Sequence, residues 1–285
     1  MKIVLSAVLM LIMSVYAAFA QSGSTQKIFM KYKAYWGGFV IAEISTETLL
    51  GADSYDVSAE YAVKGLASIV GNMTNNTRSY GIRHRTGEYR PLYYESQGNF
   101  GKFKYSNKVK FNPDNLMVTT HEQELELREK TEYIPIPDAH KHGIDPMTMF
   151  LNMIVNENFA RDYKKQYSRR QFGGIFVTTQ NFICDETGKF EEESRSVFAG
   201  DAVGCKIDGE LIAGGIRSTD PDRKRRRGRE DDDQQSILWF GQVDGFHGYL
   251  PVYTEFPIGW GKVRVYLNEF TVEDVSAAVL TASSE

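Results

Sequence analysis

The chain lacks the local signatures by which many enzymes are recognised. It has no Gly-x-Ser-x-Gly elbow, no glycine-rich loop that joins a strand to a helix, and no internal repeat. The formal net charge of its 285 residues is -4 at pH 7, with acids and bases mixed along the chain, so nothing favours nucleic acid as a partner. An enzyme would therefore need a site assembled from distant strands.

Long apolar runs are missing after the first twenty residues, but not within them. Met1-Lys2 is a short basic start, and the apolar stretch behind it closes with the small-x-small triplet Ala18-Phe19-Ala20. This pattern predicts a secretory signal peptide over 1–20, cleaved before Gln21. An uncleaved membrane anchor is the alternative. We expect cleavage, no transmembrane span afterwards, and a mature chain 21–285 that forms one antiparallel β domain outside the cytoplasm.

Cysteine is scarce, since Cys184 and Cys205 are the only two. An even count in an exported chain favours pairing, and the bond would close a loop of about twenty residues, worth roughly 3 kcal/mol. Two separate buried thiols are the alternative. A zinc site would need further ligands that the neighbouring sequence does not offer. We therefore predict a structural disulfide between the two cysteines.

What the chain does have is a repeated strand pattern. Apolar and polar positions alternate over 103–111, which predicts a strand with one face against a core and its lysines in water. Further strands are predicted at 28–35, 39–49, 55–63, 78–82, 92–96, 117–121, 174–179, 203–211, 237–240, 252–256 and 263–267. Polar turns are predicted at 37–38, 51–53, 112–115 and 185–188. Short spacing and polar turns favour an antiparallel sheet over βαβ units.

One helix is predicted among these strands. Asp145 can cap the first free amide groups, and Pro146 suits the first helical position, where its missing N–H loses no hydrogen bond. The apolar residues that follow at helical spacing form one stripe, namely Met147, Phe150, Leu151 and Ile154. We expect this helix to pack as a plug or lid on the concave face of a curved sheet or half-barrel. The pattern also allows a short helical piece at 66–70.

Two histidines are the best metal candidates. His140 and His142 alternate and precede Asp145, and two imidazoles with a carboxylate could hold zinc. Asp145 already has the capping role, however, and no further ligand follows at suitable spacing. Ordinary loop histidines are the preferred interpretation, and neither a metal nor a cofactor is predicted. Carboxylate pairs such as Glu124 and Glu126 are typical of solvated strands.

Two other features could suggest binding surfaces. Segment 220–233 contains six bases followed by four acids; the acids neutralise the bases, so we predict a charged, partly disordered loop and not a patch for nucleic acid or anionic lipid. Trp36, Trp239 and Trp260 lie on or beside predicted strands. Core packing is their preferred interpretation, with a minority of the aromatic residues lining a cavity.

The order of several short motifs resembles a known family. The motifs are Tyr32-x-x-Tyr-Trp36-Gly-Gly, Arg90-Pro-Leu-x-Tyr94, Asp145-Pro-Met-Thr-Met, Gly204-Cys205, Ile212-Ala-Gly214, Pro221-Asp-Arg-Lys224, Trp239 and Leu250-Pro-Val252. This order is similar to the proteobacterial branch of the exported domain-of-unknown-function family 3108, over nearly all of the mature chain. The charged insertion after Lys224 departs from the family pattern.

The resemblance implies a Gram-negative periplasmic protein with a curved antiparallel sheet, broadly like the half-barrels that carry the lipid groups of lipoproteins. No activity is established for that family, so it implies no catalytic residues. The leading hypothesis is a non-enzymatic binding or envelope-maintenance protein for an apolar ligand or partner, such as a lipid or envelope component. The sequence assigns no ligand-binding residues.

Two alternatives come from other classes of protein. The first is a periplasmic hydrolase or lyase with a dispersed acidic site, which a cavity with converging ionisable groups of shifted pKa would favour. The second is an outer-membrane β-barrel. The lysines on the outward face of 104–110 and the helix in the middle of the chain count against it, because lipid-facing strands present a continuous apolar band.

Overall fold

The computed structural model describes residues 25–64, 73–164, 167–220, 236–258 and 261–276. These residues form a mainly β protein, as predicted, whose fourteen strands join one sheet with antiparallel ladders. The predicted signal peptide, the helical piece at 66–70, the charged loop from 221 onward and Trp260 lie outside the described residues.

The strands have the following bounds: β1 Thr25–Trp36, β2 Phe39–Leu50, β3 Ser54–Val63, β4 Met73–Arg83, β5 Tyr89–Phe100, β6 Phe103–Phe111, β7 Val118–Glu126, β8 Thr131–Ile134, β9 Tyr167–Phe172, β10 Phe176–Phe190, β11 Gly200–Ser218, β12 Ile237–Gly241, β13 Leu250–Ile258 and β14 Gly261–Val275. Helix α1 covers Pro146–Ile154, helix α2 covers Phe159–Asp162, and a 3₁₀ turn covers Asp138–His140. Neither α1 nor α2 is both long and apolar enough to cross a membrane.

The first and last strands pair in the middle of the sheet. The order is β7-β6-β5-β4-β3-β2-β1-β14-β13-β12-β11-β10-β9, and β8 pairs with β11 off this path. The sheet therefore has two free edges, β7 and β9. Consecutive hairpins account for most of this order, which is what a chain of alternating strands and short polar turns favours.

The two edges approach each other through one connecting segment. Val118 at the start of β7 donates its N–H to the carbonyl of Lys141 over 3.0 Å, while Ile144 donates to the carbonyl of Arg170 on β9, also over 3.0 Å. The rings of Phe111 on β6 and Phe172 on β9 lie 6.2 Å apart. A sheet whose opposite edges meet the same short segment must curve, and the predicted half-barrel is confirmed.

Helix α1 lies inside this curve and contacts β3, β4, β5 and β9. The sequence predicted one apolar stripe on the helix. The structure buries five side chains around the helix, namely Thr148, Met149, Leu151, Met153 and Ile154. The curved sheet thus contacts the helix on more than one side. This explains why the buried side chains of the helix cover more than a single stripe of its surface.

Some sequence predictions were wrong. The turn predicted at 185–188 lies within β10, where the register with β11 shifts between Ile183 and Glu186. Gly188 is required there because an added Cβ would lie 2.6 Å from the ring of Trp239, so the glycine permits a close approach and makes no turn. Trp36 was expected in the core, but it is the last residue of β1, next to the turn of the first hairpin, and is 36% exposed. Trp239, by contrast, packs against the main core as predicted, and its ring contacts Phe190.

Candidate functional site

The N-terminus of helix α1 is capped as the sequence predicted. Asp145 precedes the helix in an extended conformation, and its Oδ1 accepts the N–H groups of Met147 over 2.9 Å and Thr148 over 3.0 Å. Pro146 occupies the first helical position. Both features are local consequences of the Asp-Pro pair, because the aspartate satisfies amides that the helix leaves without partners.

The same carboxylate joins a buried polar cluster, which we call the helix anchor: Tyr55, Ser79, Asp145 and Thr148. The Oδ2 of Asp145 accepts from Ser79 Oγ over 3.0 Å and from the hydroxyl of Thr148. The hydroxyl of Tyr55 lies 3.2 Å from Ser79 Oγ and is also hydrogen-bonded to Thr148. Strands β3 and β4 thus hold the start of α1 through side chains that satisfy one another.

The helix anchor contains the titrating groups that a buried acidic site would need. Burial raises the pKa of Asp145 to about 6, although its four hydrogen bonds oppose this shift. Burial also raises the pKa of Tyr55, and the charge of Asp145 adds to that effect. All four anchor residues are at most 1% exposed, and none of them lines either of the two cavities described below. The cluster therefore has a structural role and is inaccessible to a substrate.

The two histidines considered as metal ligands both lie close to Arg170. His140 Nδ1 lies 2.9 Å from Nη2 of Arg170. Burial, together with the charge of Arg170, lowers the pKa of His142. Within the described ranges, no three His, Cys, Asp or Glu residues are placed to hold a metal ion. Glu126, from the other carboxylate pair, forms an ion pair with Lys104 at 2.8 Å.

The two cysteines lie opposite each other on neighbouring strands. Cys184 on β10 and Cys205 on β11 are both buried in the main core, and their sulfur atoms are 2.00 Å apart. The N–H of Cys184 donates to the carbonyl of Tyr163, just after α2. The pair can therefore form the disulfide that the sequence predicts. It contacts the chain just after α2.

A large cleft opens beside the C-terminal end of α1. Its volume is about 790 Å³, within the range of cavities that hold small ligands. Strands, both helices and three loops contribute to the lining, which is Gln26, Leu50, Arg83, Thr86, Gly87, Glu88, Tyr89, Asn152, Val155, Asn156, Glu157, Asn158, Asp162, Tyr163, Tyr167, Phe246 and His247. The lining is thus mixed, with aliphatic and aromatic side chains beside amides and charges.

Asn152 forms the wall on the helix side of this cleft. Its Oδ1 accepts the N–H of Tyr89 over 2.8 Å, and its Nδ2 donates to the carbonyl of the same residue over 2.8 Å. The amide therefore pairs with the start of β5 as a neighbouring strand would. Because both groups are satisfied, Asn152 fixes α1 against the sheet and gives the cleft a rigid wall.

A smaller cavity adjoins the cleft, with a volume of about 170 Å³. We call it the basic pocket, and it is lined by Glu88, Arg90, Asn115, Leu116, His142, Gly143, Ile144, Met149, Asn152, Tyr167, Arg169 and Arg170. The cleft and the basic pocket share Glu88, Asn152 and Tyr167. The two cavities are therefore neighbours with one common wall.

The three arginines of the basic pocket have different partners. Arg169 forms an ion pair with Glu88 and donates to the hydroxyl of Tyr167. Arg90 donates through Nη1 to the carbonyls of Pro113 and Asp114, each over 2.8 Å. Arg170 contacts the imidazole of His140 and the carbonyl of His142. Within the part of the chain that the structure describes, Arg169 is thus the one arginine of this pocket with a carboxylate partner.

Sequence reasoning did not find this site. Arg90 appeared only within a motif of the family resemblance, and Glu88, Arg169 and Arg170 were not considered. Arg169 and Arg170 are adjacent on the edge strand β9, and both line the pocket although neighbours on a strand normally point to opposite faces. Two consecutive arginines in a strand were the one available signal.

Comparisons with known proteins identify no function. No family model and no curated protein match the chain. The crystal structure of a β-barrel-like protein of domain of unknown function DUF1849 from Brucella abortus is similar, with 8% sequence identity and a TM-score of 0.47, over 88% of this chain and 98% of that chain. A likeness this low carries no functional argument, and it gives no support to family 3108, which stays a prediction.

Proposed function

We propose that this protein is a non-enzymatic binding protein of the periplasm, and that the cleft beside α1 holds an amphiphilic ligand from the envelope. The observation that carries the proposal is the cleft itself, at about 790 Å³ with a rigid wall. Apolar surface comes from Leu50, Val155 and Phe246, which suit an alkyl or acyl chain. Polar surface beside them, from Arg83 and Asn152, suits a head group.

The first experiment asks whether an amphiphile occupies the cleft. The protein is purified without detergent, extracted with organic solvent, and the extract is analysed by mass spectrometry. Val155→Glu places a carboxylate in the cleft and should abolish recovery of the ligand, because burying a charge beside an acyl chain is unfavourable. Leu211→Glu is the matched control, since Leu211 is 60% exposed and lies outside the cleft lining.

Recovery of an amphiphile from the wild type and from Leu211→Glu, but not from Val155→Glu, would support the proposal. The same extract from all three proteins would place the lipid elsewhere. If the wild type carries no lipid and does not bind octyl glucoside below its micellar concentration, the proposal that the cleft binds an amphiphile is wrong.

Export is a separate part of the proposal. It is supported by the apolar segment that ends at Ala20, by the buried cysteine pair, and by the resemblance to an exported family. N-terminal sequencing of the protein from fractionated Gram-negative cells should give a chain that starts at Gln21 in the periplasmic fraction. Recovery of the uncleaved chain in the cytosol, with both thiols reactive to an alkylating reagent, would contradict this part.

A further inference from the structure

We propose that the basic pocket is an anion-binding site that takes a single carboxylate or phosphate group, and that this group is the head of the ligand in the adjoining cleft. The inference deepens the proposed function and rests on it for the ligand's apolar part. The site itself is defined by its own residues, Arg90, Arg169 and Arg170, and is tested separately.

The first argument is the charge of the pocket. Three guanidinium groups face one carboxylate, that of Glu88. Burial and the charge of Arg170 lower the pKa of His142, which disfavours its charged form. The lining therefore carries a net charge of about two, which favours an anion in a partly enclosed cavity where screening by water is weak.

The second argument is the way the arginines are held. The partners of Arg90 and Arg170 are backbone carbonyls and an imidazole, which fix the guanidinium groups without neutralising them. A carboxylate or phosphate oxygen is the acceptor that best suits guanidinium donors.

The third argument is the size and position of the pocket. Its volume of about 170 Å³ is below the range of cavities that enclose a whole small ligand, so it suits one charged group. Glu88, Asn152 and Tyr167 border both cavities. A ligand whose charged end occupies the basic pocket can therefore lay its apolar part in the cleft, past the side chain of Asn152.

Octyl probes of equal chain length test this inference by isothermal titration calorimetry, all below their micellar concentrations. Octyl phosphate and octanoate are anionic, octyl glucoside is neutral, and inorganic phosphate has no chain. The wild type should bind the anionic octyl probes at least tenfold more tightly than octyl glucoside. Raising the salt concentration should weaken binding of the anionic probes and leave octyl glucoside unchanged.

Substitutions then locate the site. The double variant Arg90→Gln, Arg170→Gln keeps hydrogen-bond donors but removes both uncompensated charges, and it should lose the tenfold preference while octyl glucoside binds as before. Arg217→Gln is the control, because Arg217 pairs with Glu132 on the exposed side of β11. It should bind every probe as the wild type does. Thermal unfolding of each variant checks that it is folded, and the salt dependence of the wild type needs no variant.

The outcomes separate the two proposals. If the wild type binds octyl glucoside as tightly as octyl phosphate, or if the double variant keeps the preference, the anion site is wrong and the proposed function stands. If inorganic phosphate binds as tightly as octyl phosphate while octyl glucoside does not bind, the site recognises a free anion. The proposed binding of an amphiphile in the cleft is then wrong. If octyl phosphate binds better than octanoate, the head group is a phosphate; the reverse order identifies a carboxylate.

Discussion

Two polar clusters flank helix α1, and they differ in how their groups are satisfied. The helix anchor is buried, and the carboxylate of Asp145 receives four hydrogen bonds from its immediate neighbours. In the basic pocket, the guanidinium groups of Arg90 and Arg170 border a cavity and have no carboxylate partner among the described contacts. Polar groups that satisfy one another stabilise a fold, whereas uncompensated charge beside a cavity favours a ligand.

The largest expected effect comes from removing the carboxylate of Asp145, which accepts the hydrogen bonds of the helix anchor. Asp145→Ala should lower the free energy of unfolding by about 4 kcal/mol, because the cap is lost and two hydroxyls and two amides are left buried without their acceptor. Urea denaturation followed by circular dichroism measures this change. Asp138→Ala is the control, since Asp138 lies in the exposed 3₁₀ turn and pairs only with Lys141 in the described structure. It should have little effect; equal effects of both substitutions would contradict the role of the anchor.

The second prediction concerns pH. The pKa of Asp145 is about 6 in the fold against an ordinary 3.8, so the folded chain holds this proton more tightly. Protonation of Asp145 therefore stabilises the fold. This stabilisation is fully present below about pH 4 and is lost as the pH rises through about 6. The difference between the two pKa values corresponds to up to about 3 kcal/mol.

Asp145→Asn isolates this effect, because its amide oxygen can still accept from the helix N-terminus but does not titrate. The free energy of unfolding of the wild type should fall relative to that of the variant between pH 4 and pH 7. Urea midpoints at four pH values would show it. A constant difference across that range would mean that Asp145 keeps its ordinary pKa in the fold.

The third prediction concerns the hydroxyl that completes the helix anchor. Tyr55→Phe should lower the free energy of unfolding by about 1 to 2 kcal/mol, since Thr148 and Ser79 then lose a buried partner while the ring still packs on Tyr89. Thermal and urea unfolding measure the change. Tyr80→Phe is the matched control. Tyr80 lies on the face of β4 opposite to that of Ser79, and its ring stacks on Tyr93. The stability of this variant should stay close to that of the wild type.

The comparison also explains what could be predicted from the sequence. The cap at Asp145 and Pro146 depends on neighbours in the chain, so a dipeptide was enough to predict it. Strand β6 was predicted with its observed bounds because more exposed and less exposed positions alternate along most of its length. Strands β8 and β9 were not predicted, since both are short and polar and β9 lies at an edge where no alternation is imposed.

The site depends on contacts between distant parts of the chain. Glu88 and Arg169 meet across 81 positions, and Asn152 reaches β5 only because the helix enters the curve of the sheet. Ser79, the partner of Asp145 on β4, could not be predicted from the sequence either, although the capping role of Asp145 could. Helix capping and strand alternation depend on residues that are close in sequence, whereas the residues that line a cavity are brought together by the tertiary fold.

The smallest expected effect on stability belongs to the basic pocket. Arg90→Gln should change the free energy of unfolding by less than about 1 kcal/mol, because the lost hydrogen bonds to Pro113 and Asp114 are partly offset by weaker repulsion from Arg170. Arg78→Gln is the contrasting variant, since Arg78 forms two hydrogen bonds with the carboxylate of the buried Asp56. It should lower the free energy of unfolding by about 2 kcal/mol, because the buried carboxylate loses its counter-charge.

Urea unfolding of both variants at pH 7 tests this contrast. If Arg90→Gln destabilises the protein as much as Arg78→Gln does, Arg90 supports the fold, and the basic pocket resembles the helix anchor. If Arg90→Gln leaves stability nearly unchanged or raises it, the guanidinium group is held beside the cavity at no benefit to the fold. That result is expected of a residue whose charge is matched by a ligand and not by the protein.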